Sequence, residues 1–387
     1  MSFLGIIAFV IALLFSVMVH EFGHYLTAKK FHMKVTEFFL GFGKRIWSFQ
    51  RGETEFGLKA IPAGGYCRIV GMSVTEELSE EDSPRAFYRA SAIRRLIVLG
   101  AGSFLHFVLG FLILAILLGG VGVTAVTNKI GGVVANSPAA SAGLLKGDEI
   151  TSINGKKVTE WSQAVKAIRS SGGREITLTI LRQGNSQDIL VTPEVKIAKD
   201  SVTNKDIKIG VIGVMNTLGT KRLGAIATIK NSGTLTWSLM KNSITSLISL
   251  PTKIPALVRQ TFGKEKRDST GLVGVVGVAR VSAQNASDPH LKNREKLSTF
   301  LIIIASLNIF VGVFNLLPLL PLDGGHMLIA VIDGYRRWKA RRKGARAPAE
   351  FDLERLMPLT ITVFAILAAL SLLLLAADIF HPINLSQ

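Results

Sequence analysis

The chain is 387 residues long and 48% apolar, with 45 Lys/Arg against 27 Asp/Glu and a formal charge of +18. A mean hydropathy of +0.40 excludes an ordinary soluble protein. The basic residues fall between long apolar stretches, so the charge serves topology and lipid contact and no nucleic-acid partner is expected. Cys67, the single cysteine, excludes an internal disulfide.

Four stretches, roughly 2–26, 96–120, 299–320 and 357–378, are long enough to cross a bilayer, which takes about 20 residues. They predict a polytopic α-helical membrane protein with four transmembrane helices. The first span lacks a basic n-region and is too long for a signal h-region, so it reads as retained. It contains His20-Glu21-Phe22-Gly23-His24. Two histidines four apart on a helix share one face and can both reach one Zn²⁺, with the intervening Glu beside the metal as general base. Ionisable groups inside a span are costly and imply function, here hydrolysis within the membrane.

In the next segment, Gly41-Phe42-Gly43 and Pro62-Ala63-Gly64-Gly65-Tyr66 bracket alternating polar and apolar residues. That pattern predicts membrane-associated β-hairpins. Glu76, Glu77, Glu80, Glu81 and Asp82 read as a solvated face. Span two carries Gly100-Ala101-Gly102-Ser103-Phe104-Leu105-His106, whose small residues let helices approach closely. His106 is either a structural histidine bonded between helices or a donor near the metal that orients a ligand or stabilises an oxyanion.

Beyond span two, Gly131-Gly132-Val133-Val134, Ser137-Pro138-Ala139, Gly147-Asp148-Glu149-Ile150 and Ile153-Asn154-Gly155 resemble the pattern of a PDZ domain. Asn-Gly marks a tight hairpin, and Leu178, Ile180, Ile189 and Val191 alternate as strands should. An inserted α+β PDZ-like domain in one copy is expected, with residues 161–170 as a helix flanking a peptide groove. Peptide binding and size filtering both remain open for it. Residues 233–262 are amphipathic, interrupted by Pro251 and Pro255; they either lie on the outer membrane surface as a gate or pack beneath the PDZ-like domain. Gly271 to Gly277 is not a phosphate loop, since no Lys-Ser/Thr follows.

Span three ends in Asn315-Leu316-Leu317-Pro318-Leu319-Leu320-Pro321-Leu322-Asp323-Gly324-Gly325. The prolines break the helix end, and irregular backbone at this depth needs protein or a water-filled cavity around it. Asp323 reaches a depth similar to His24, where its carboxylate would complete a His-His-Asp zinc site with the fourth position left for water. His326 is a rival ligand or a structural histidine. The run Arg336-Arg337-Trp338-Lys339-Ala340-Arg341-Arg342-Lys343 predicts a basic cytoplasmic loop. Both termini and the PDZ-like region then lie outside the cytoplasm, with the active site toward the cytoplasmic side. The expected domains are 1–28, 29–92, 93–121, 122–218, 219–298, 299–332, 333–356 and 357–387.

His20-Glu21-Phe22-Gly23-His24 together with Asn315 to Gly325 resembles the site-2 protease family of intramembrane zinc metalloproteases, over nearly the whole chain. The sequence is most similar to the bacterial branch that cleaves anti-sigma factors, and its 28–72 loop looks actinobacterial in type. The resemblance implies His20, His24 and Asp323 as zinc ligands, Glu21 as base and Asn315 as a holder of substrate backbone. Asn308, seven residues earlier, shares that helical face and is expected to line the cleft. Gly41, Gly43, Gly64 and Gly65 are expected in substrate contact by strand addition, against the plainer reading of a cytoplasmic hairpin. Relatives commonly carry Gly-Pro-x-x-Asn where this chain has Ser103 and His106. The expected substrates are single-span membrane proteins such as anti-sigma factors, trimmed beforehand by another protease, or signal-peptide remnants. A silent PDZ scaffold would not need Glu21; a metal transporter would show more polar spans or inverted repeats.

Overall fold

A computed structural model describes residues 2–199, 206–263, 265, 267, 271–346, 351 and 353–382. In chain order its elements are α1 (Ser2–Lys30), β1 (Val35–Arg51), β2 (Thr54–Ile69) and α2 (Ala92–Ala115), which continues as π-helix over Ile116–Val121. Next come β3 (Val123–Val133), α3 (Pro138–Ser141), β4 (Glu149–Ile153), β5 (Lys156–Lys157), α4 (Trp161–Arg169), β6 (Ile176–Arg182) and β7 (Asn185–Val191). Then follow β8 (Glu194–Lys199), β9 (Asp206–Val211), β10 (Val214–Lys221), α5 (Ala225–Ile248), α6 (Leu250–Phe262) and α7 (Val275–Ser287). The last elements are α8 (Asn293–Asn315), α9 (Asp323–Arg342) and α10 (Met357–Phe380). They form two units, Met1–Gly119 with Gly224–Gln387, and Gly120–Leu223.

Among the described residues of the first unit, four helices are long and apolar enough to cross a membrane: Phe3–Lys30, Ala92–Val121, Asn293–Asn315 and Met357–Phe380. Each closes its backbone hydrogen bonds internally, the condition a lipid environment imposes. Close packing between α1 and α2 depends on glycine. A Cβ on Gly23 would stand 2.6 Å from the Ala101 carbonyl oxygen, and one on Gly102 would stand 2.5 Å from the His20 ring. The small residues of span two therefore pack helix on helix. At the α2–α8 contact a Cβ on Gly110 would come within 2.8 Å of Ile309, and one on Gly312 within 2.7 Å of Phe107.

Three expectations change. The third span stops at Asn315, because the segment with Pro318 and Pro321 cannot continue the hydrogen-bond ladder, and Asp323 opens the separate helix α9. The basic run expected as a loop is the C-terminal half of α9; Lys and Arg are good helix formers, and cations favour the negative end of the helix dipole. Residues 347–350 and 352 of that expected loop lie outside the described residues. The 233–262 pattern does break at Ser249, with Pro251 opening α6, but Pro255 lies inside α6 and does not interrupt it.

β1 and β2 form one long hairpin that curls on itself. Phe38, Phe39 and Leu40 pair with Cys67, Tyr66 and Gly65 on one side and with Phe56, Gly57 and Leu58 on the other. Residues 35–42 are thus internal, and 45–51 and 61–69 are the edges. Ala28, Met33, Val35, Ile69, Val98 and Leu99 bury the base of this sheet against α1 and α2.

The second unit is a sheet of order β10-β3-β4-β6-β7, with β5 added to β4, beside a β8–β9 ribbon. Leu178 and Ile180 are 0% exposed and Val191 3%, as the alternation predicts. Asn154 and Gly155 take positive φ of 49° and 72°, the backbone of a two-residue hairpin. Asp148 is buried, accepts from Arg182 Nε at 2.8 Å and Nη2 at 2.7 Å, and accepts from the Leu145 N–H at 2.8 Å. The guanidinium beside it holds the Asp148 carboxyl below its ordinary value of 3.8.

Two stability predictions follow from this packing. Gly23→Ala forces a methyl group into the Ala101 backbone and should destabilise the α1–α2 contact by about 1–3 kcal/mol, read as a lower thermal midpoint in detergent. Arg182→Met removes the partner of the Asp148 carboxylate and should lower the thermal midpoint of this unit at neutral pH. Because the folded pKa is depressed, that contribution is present above 3.8 and disappears as pH falls below it. The gap between variant and parent should therefore close in acid.

Candidate metal centre

His20 and His24 stand one turn apart on α1 and are 6% and 7% exposed. Their Nε2 atoms are 3.1 Å apart, and Asp323 Oδ2 lies 3.2 Å from His20 Nε2 and 3.4 Å from His24 Nε2. His24 Nδ1 is 2.8 Å from the Val98 carbonyl oxygen. A carbonyl only accepts, so Nδ1 carries the proton and the Nε2 lone pair faces inward. Asp323 Oδ2 is buried with no hydrogen-bond donor.

Two imidazole nitrogens and a carboxylate oxygen therefore face one another, all within 4.8 Å. A shared cation relieves that arrangement, and two His with one carboxylate is a donor set that suits zinc and leaves a position open. Gly102 completes the cradle, because a Cβ there would meet His24 Nε2 at 2.7 Å. The residues fit the ion.

Asp323 arrives by a different route from the histidines. It is the first residue of α9 and is followed by two glycines packed against the preceding turn. A Cβ on Gly324 would stand 2.2 Å from the Leu317 carbonyl oxygen, and one on Gly325 would stand 2.6 Å from Leu319. Only glycines allow α9 to begin so close to the end of α8, which aims Asp323 back at α1.

Glu21 is half-buried between the histidines. Gly65 lies beside it: a Cβ there would be 3.4 Å from Glu21 Cγ. Gly41, Gly43 and Gly64 have positive φ of 90°, 82° and 140°. Gly41 allows a close backbone approach, since a Cβ would meet the Ile61 carbonyl oxygen at 2.8 Å. Of the four glycines, Gly65 is the one whose Cβ position borders the Glu21 side chain.

Asn315 ends α8 half-buried, its Nδ2 3.4 Å from His20 Nε2. Asn308 does not line a cleft. It is 0% exposed and donates to the Ile304 carbonyl at 2.8 Å. Its Oδ1 accepts from Ser16 Oγ at 2.5 Å and lies 3.0 Å from His106 Nδ1. Two turns of α8 give it the azimuth of Asn315, but there α1 and α2 close over that face. His106 is thereby bonded between helices, and its ring also packs 4.9 Å from that of His20. His326 is not in the three-residue group; it borders a small cavity with Arg95 and Asp333. Ser16 escaped the sequence reading, although its position one turn before His20 was a usable signal. The Arg95–Asp333 pair, at 3.1 Å, left none.

Comparison with known proteins agrees with this geometry. Residues 8–353 match the description of Peptidase family M50. The chain is 31% identical to the zinc metalloprotease Rip1 of Mycobacterium tuberculosis over 409 residues, 99% of each chain. It has the same identity and coverage with Rip1 of Mycolicibacterium smegmatis. A Rickettsia conorii protein named for the zinc metalloproteases is 30% identical, over 85% of this chain and 88% of its own. With its four apolar helices, the chain belongs to peptidase family M50, the site-2 protease family, and is a membrane-integral zinc metalloprotease.

Proposed function

We propose that this protease cleaves single-span membrane proteins inside the bilayer, with His20, His24 and Asp323 as its zinc ligands and Glu21 as its general base. The observation that carries the assignment is the meeting of three lone-pair donors from α1 and α9 within 4.8 Å, with Glu21 on the intervening residue. Zinc bound there supplies a Lewis acid that activates water and polarises a scissile carbonyl. The Glu21 carboxylate accepts a proton from water and passes it to the leaving amide nitrogen. Asn315 Nδ2, at the rim, donates a hydrogen bond to substrate backbone.

A substrate helix hides its carbonyls in its own hydrogen bonds, so the scissile segment must be extended. Residues 61–69 form a sheet edge with one neighbour, and Gly65 places that edge against Glu21. A groove of about 540 Å³ runs along it, lined by Tyr66, Cys67, Arg68, Ile69, Met72 and Ser73. An extended substrate added to this edge would gain backbone hydrogen bonds with little sequence preference. Anti-sigma factors and signal-peptide remnants fit that requirement.

Residues 29–92 and the basic end of α9 are assigned to the cytoplasm by their Lys/Arg content. The Gly120–Leu223 unit and both termini are then on the opposite side. That unit is read as PDZ-like, supported by its α4 helix and its strand order with β10 at an edge. It serves as a filter that admits substrates already trimmed outside the membrane.

Glu21→Gln should keep stoichiometric zinc and lose about 10²–10⁴-fold in kcat, assayed with a purified single-span substrate and metal analysis. Asp323→Asn should lose zinc as well; zinc-replete, active Asp323→Asn protein would sink the ligand assignment. Deleting residues 122–218 should permit cleavage of an untrimmed substrate that the parent rejects, seen as a new fragment on co-expression.

A further inference from the structure

One face of α2 touches both histidines of the metal centre. Arg95, Val98, Gly102 and His106 follow one another at steps of three, four and four residues, which places them on one side of the helix. The Val98 carbonyl holds His24 Nδ1, Gly102 backs both histidine rings, and His106 packs on His20. Arg95, at the start of this face, reaches a different helix. Its Nη2 donates to Asp333 Oδ2 of α9 at 3.1 Å.

This pair is poorly explained by stability. Arg95 and Asp333 are 5% and 3% exposed, and Arg95 Nε is buried with no hydrogen-bond partner among the described residues. A second cation, Arg336 of α9 itself, approaches Asp333 Oδ1 at 3.5 Å. Burying an incompletely bonded ion pair costs desolvation, and apolar side chains of similar volume would hold two helices together as well. An ion pair adds direction to the contact: its geometry fixes rotation and register, because a slip of one residue turns a helix by about 100°.

Register matters in α9 because Asp323 is its first residue. The pair sits ten residues further on, about 15 Å along the axis at 1.5 Å per residue. Beside it, a Cβ on Gly334 would stand 2.8 Å from Ala92 Cβ, so α9 approaches α2 closely at that level. At its other end α9 is held by Gly324 and Gly325 against residues 316–320. Rotation of α9 would carry the Asp323 carboxylate off the two imidazoles, whose positions α2 has already set.

We propose that the Arg95–Asp333 pair is a positioning device for the metal centre. It locks α9 onto the same face of α2 that holds the histidines, so that the Asp323 carboxylate meets them. Arg95 and Asp333 are positioning residues and touch neither the ion nor the substrate. The inference rests on the ligand assignment made above.

The test uses full-length protein purified in detergent, with three variants: Asp333→Asn, the apolar pair Arg95→Met/Asp333→Leu, and Asp323→Asn. Zinc affinity is measured by chelator competition, the ligand geometry by the visible spectrum of the Co²⁺-substituted protein, and stability by thermal midpoint. The apolar pair should unfold near the parental midpoint yet bind zinc about 10- to 100-fold more weakly. Its cobalt spectrum should change, and kcat should fall while KM stays near the parental value. Parental zinc affinity and cobalt spectrum in that folded variant would overturn the proposal. If the apolar pair does not fold, Asp333→Asn, which alters a single atom type, is read in the same way. Asp323→Asn separates the two levels. Weak zinc binding there with parental binding in the other variants refutes the positioning role alone, whereas parental binding in Asp323→Asn refutes the ligand set itself.

Discussion

Three potential ligand atoms, two imidazole nitrogens and a carboxylate oxygen, meet at separations of 3.1–3.4 Å among helices built of apolar residues. That meeting needs a shared proton or cation to offset its desolvation, and in a bilayer the cost without one grows. The rest of the membrane unit can be understood as what is needed to hold them there. Gly23 and Gly102 bring α1 against α2, the Val98 carbonyl fixes the His24 tautomer, and two glycines at the start of α9 let Asp323 turn back toward the histidines. Each device is a local concession, a missing side chain or a backbone acceptor used twice, that leaves the surrounding helices able to satisfy themselves.

The same logic explains the polar residues one turn away from the centre. Ser16, His106 and Asn308 come from α1, α2 and α8 and bond to one another. A lone asparagine in this position would leave a buried amide unsatisfied; with Ile304, Ser16 and His106 as partners its donor and acceptor are both used. Networks of this kind are specific because any rotation of one helix breaks several bonds together. They tie three spans at the level of the metal centre, where lipid offers no hydrophobic drive for helices to associate.

Local patterns were legible in the sequence, and partners distant in the chain were not. His20, Glu21 and His24 could be read because a helix places residues four apart on one face whatever surrounds it. Asp323 was legible in its motif; the depth count assumes a continuous span, whereas α8 ends at Asn315 and Asp323 opens α9. Asn308 shows where counting fails: azimuth on α8 was right, but which neighbour covers that azimuth two turns down is a packing fact. The basic run after Asp323 read as a loop because its charge speaks to membrane side and not to backbone conformation, and it turned out to be helix. Arg95 and Asp333 are 238 residues apart and each looks like an ordinary charge near the end of a span. Only the folded chain brings them together.

The exposure pattern of the centre then decides from which side it works. His20 and His24 are closed off by α2, while the Asp323 side chain keeps 20% of its surface and Glu21 is half-buried. The open side therefore faces the edge formed by residues 61–69, where Gly65 presents backbone and no side chain to Glu21. On the proposed reading, water and an extended peptide would compete for that side of the site. A strand that fills it would exclude bulk solvent while leaving its own carbonyls next to the base, which strengthens every electrostatic interaction inside. A helix could not do the same, because its carbonyls point along its axis and are already bonded. On that reading the site would select for an extended conformation before it selects for sequence.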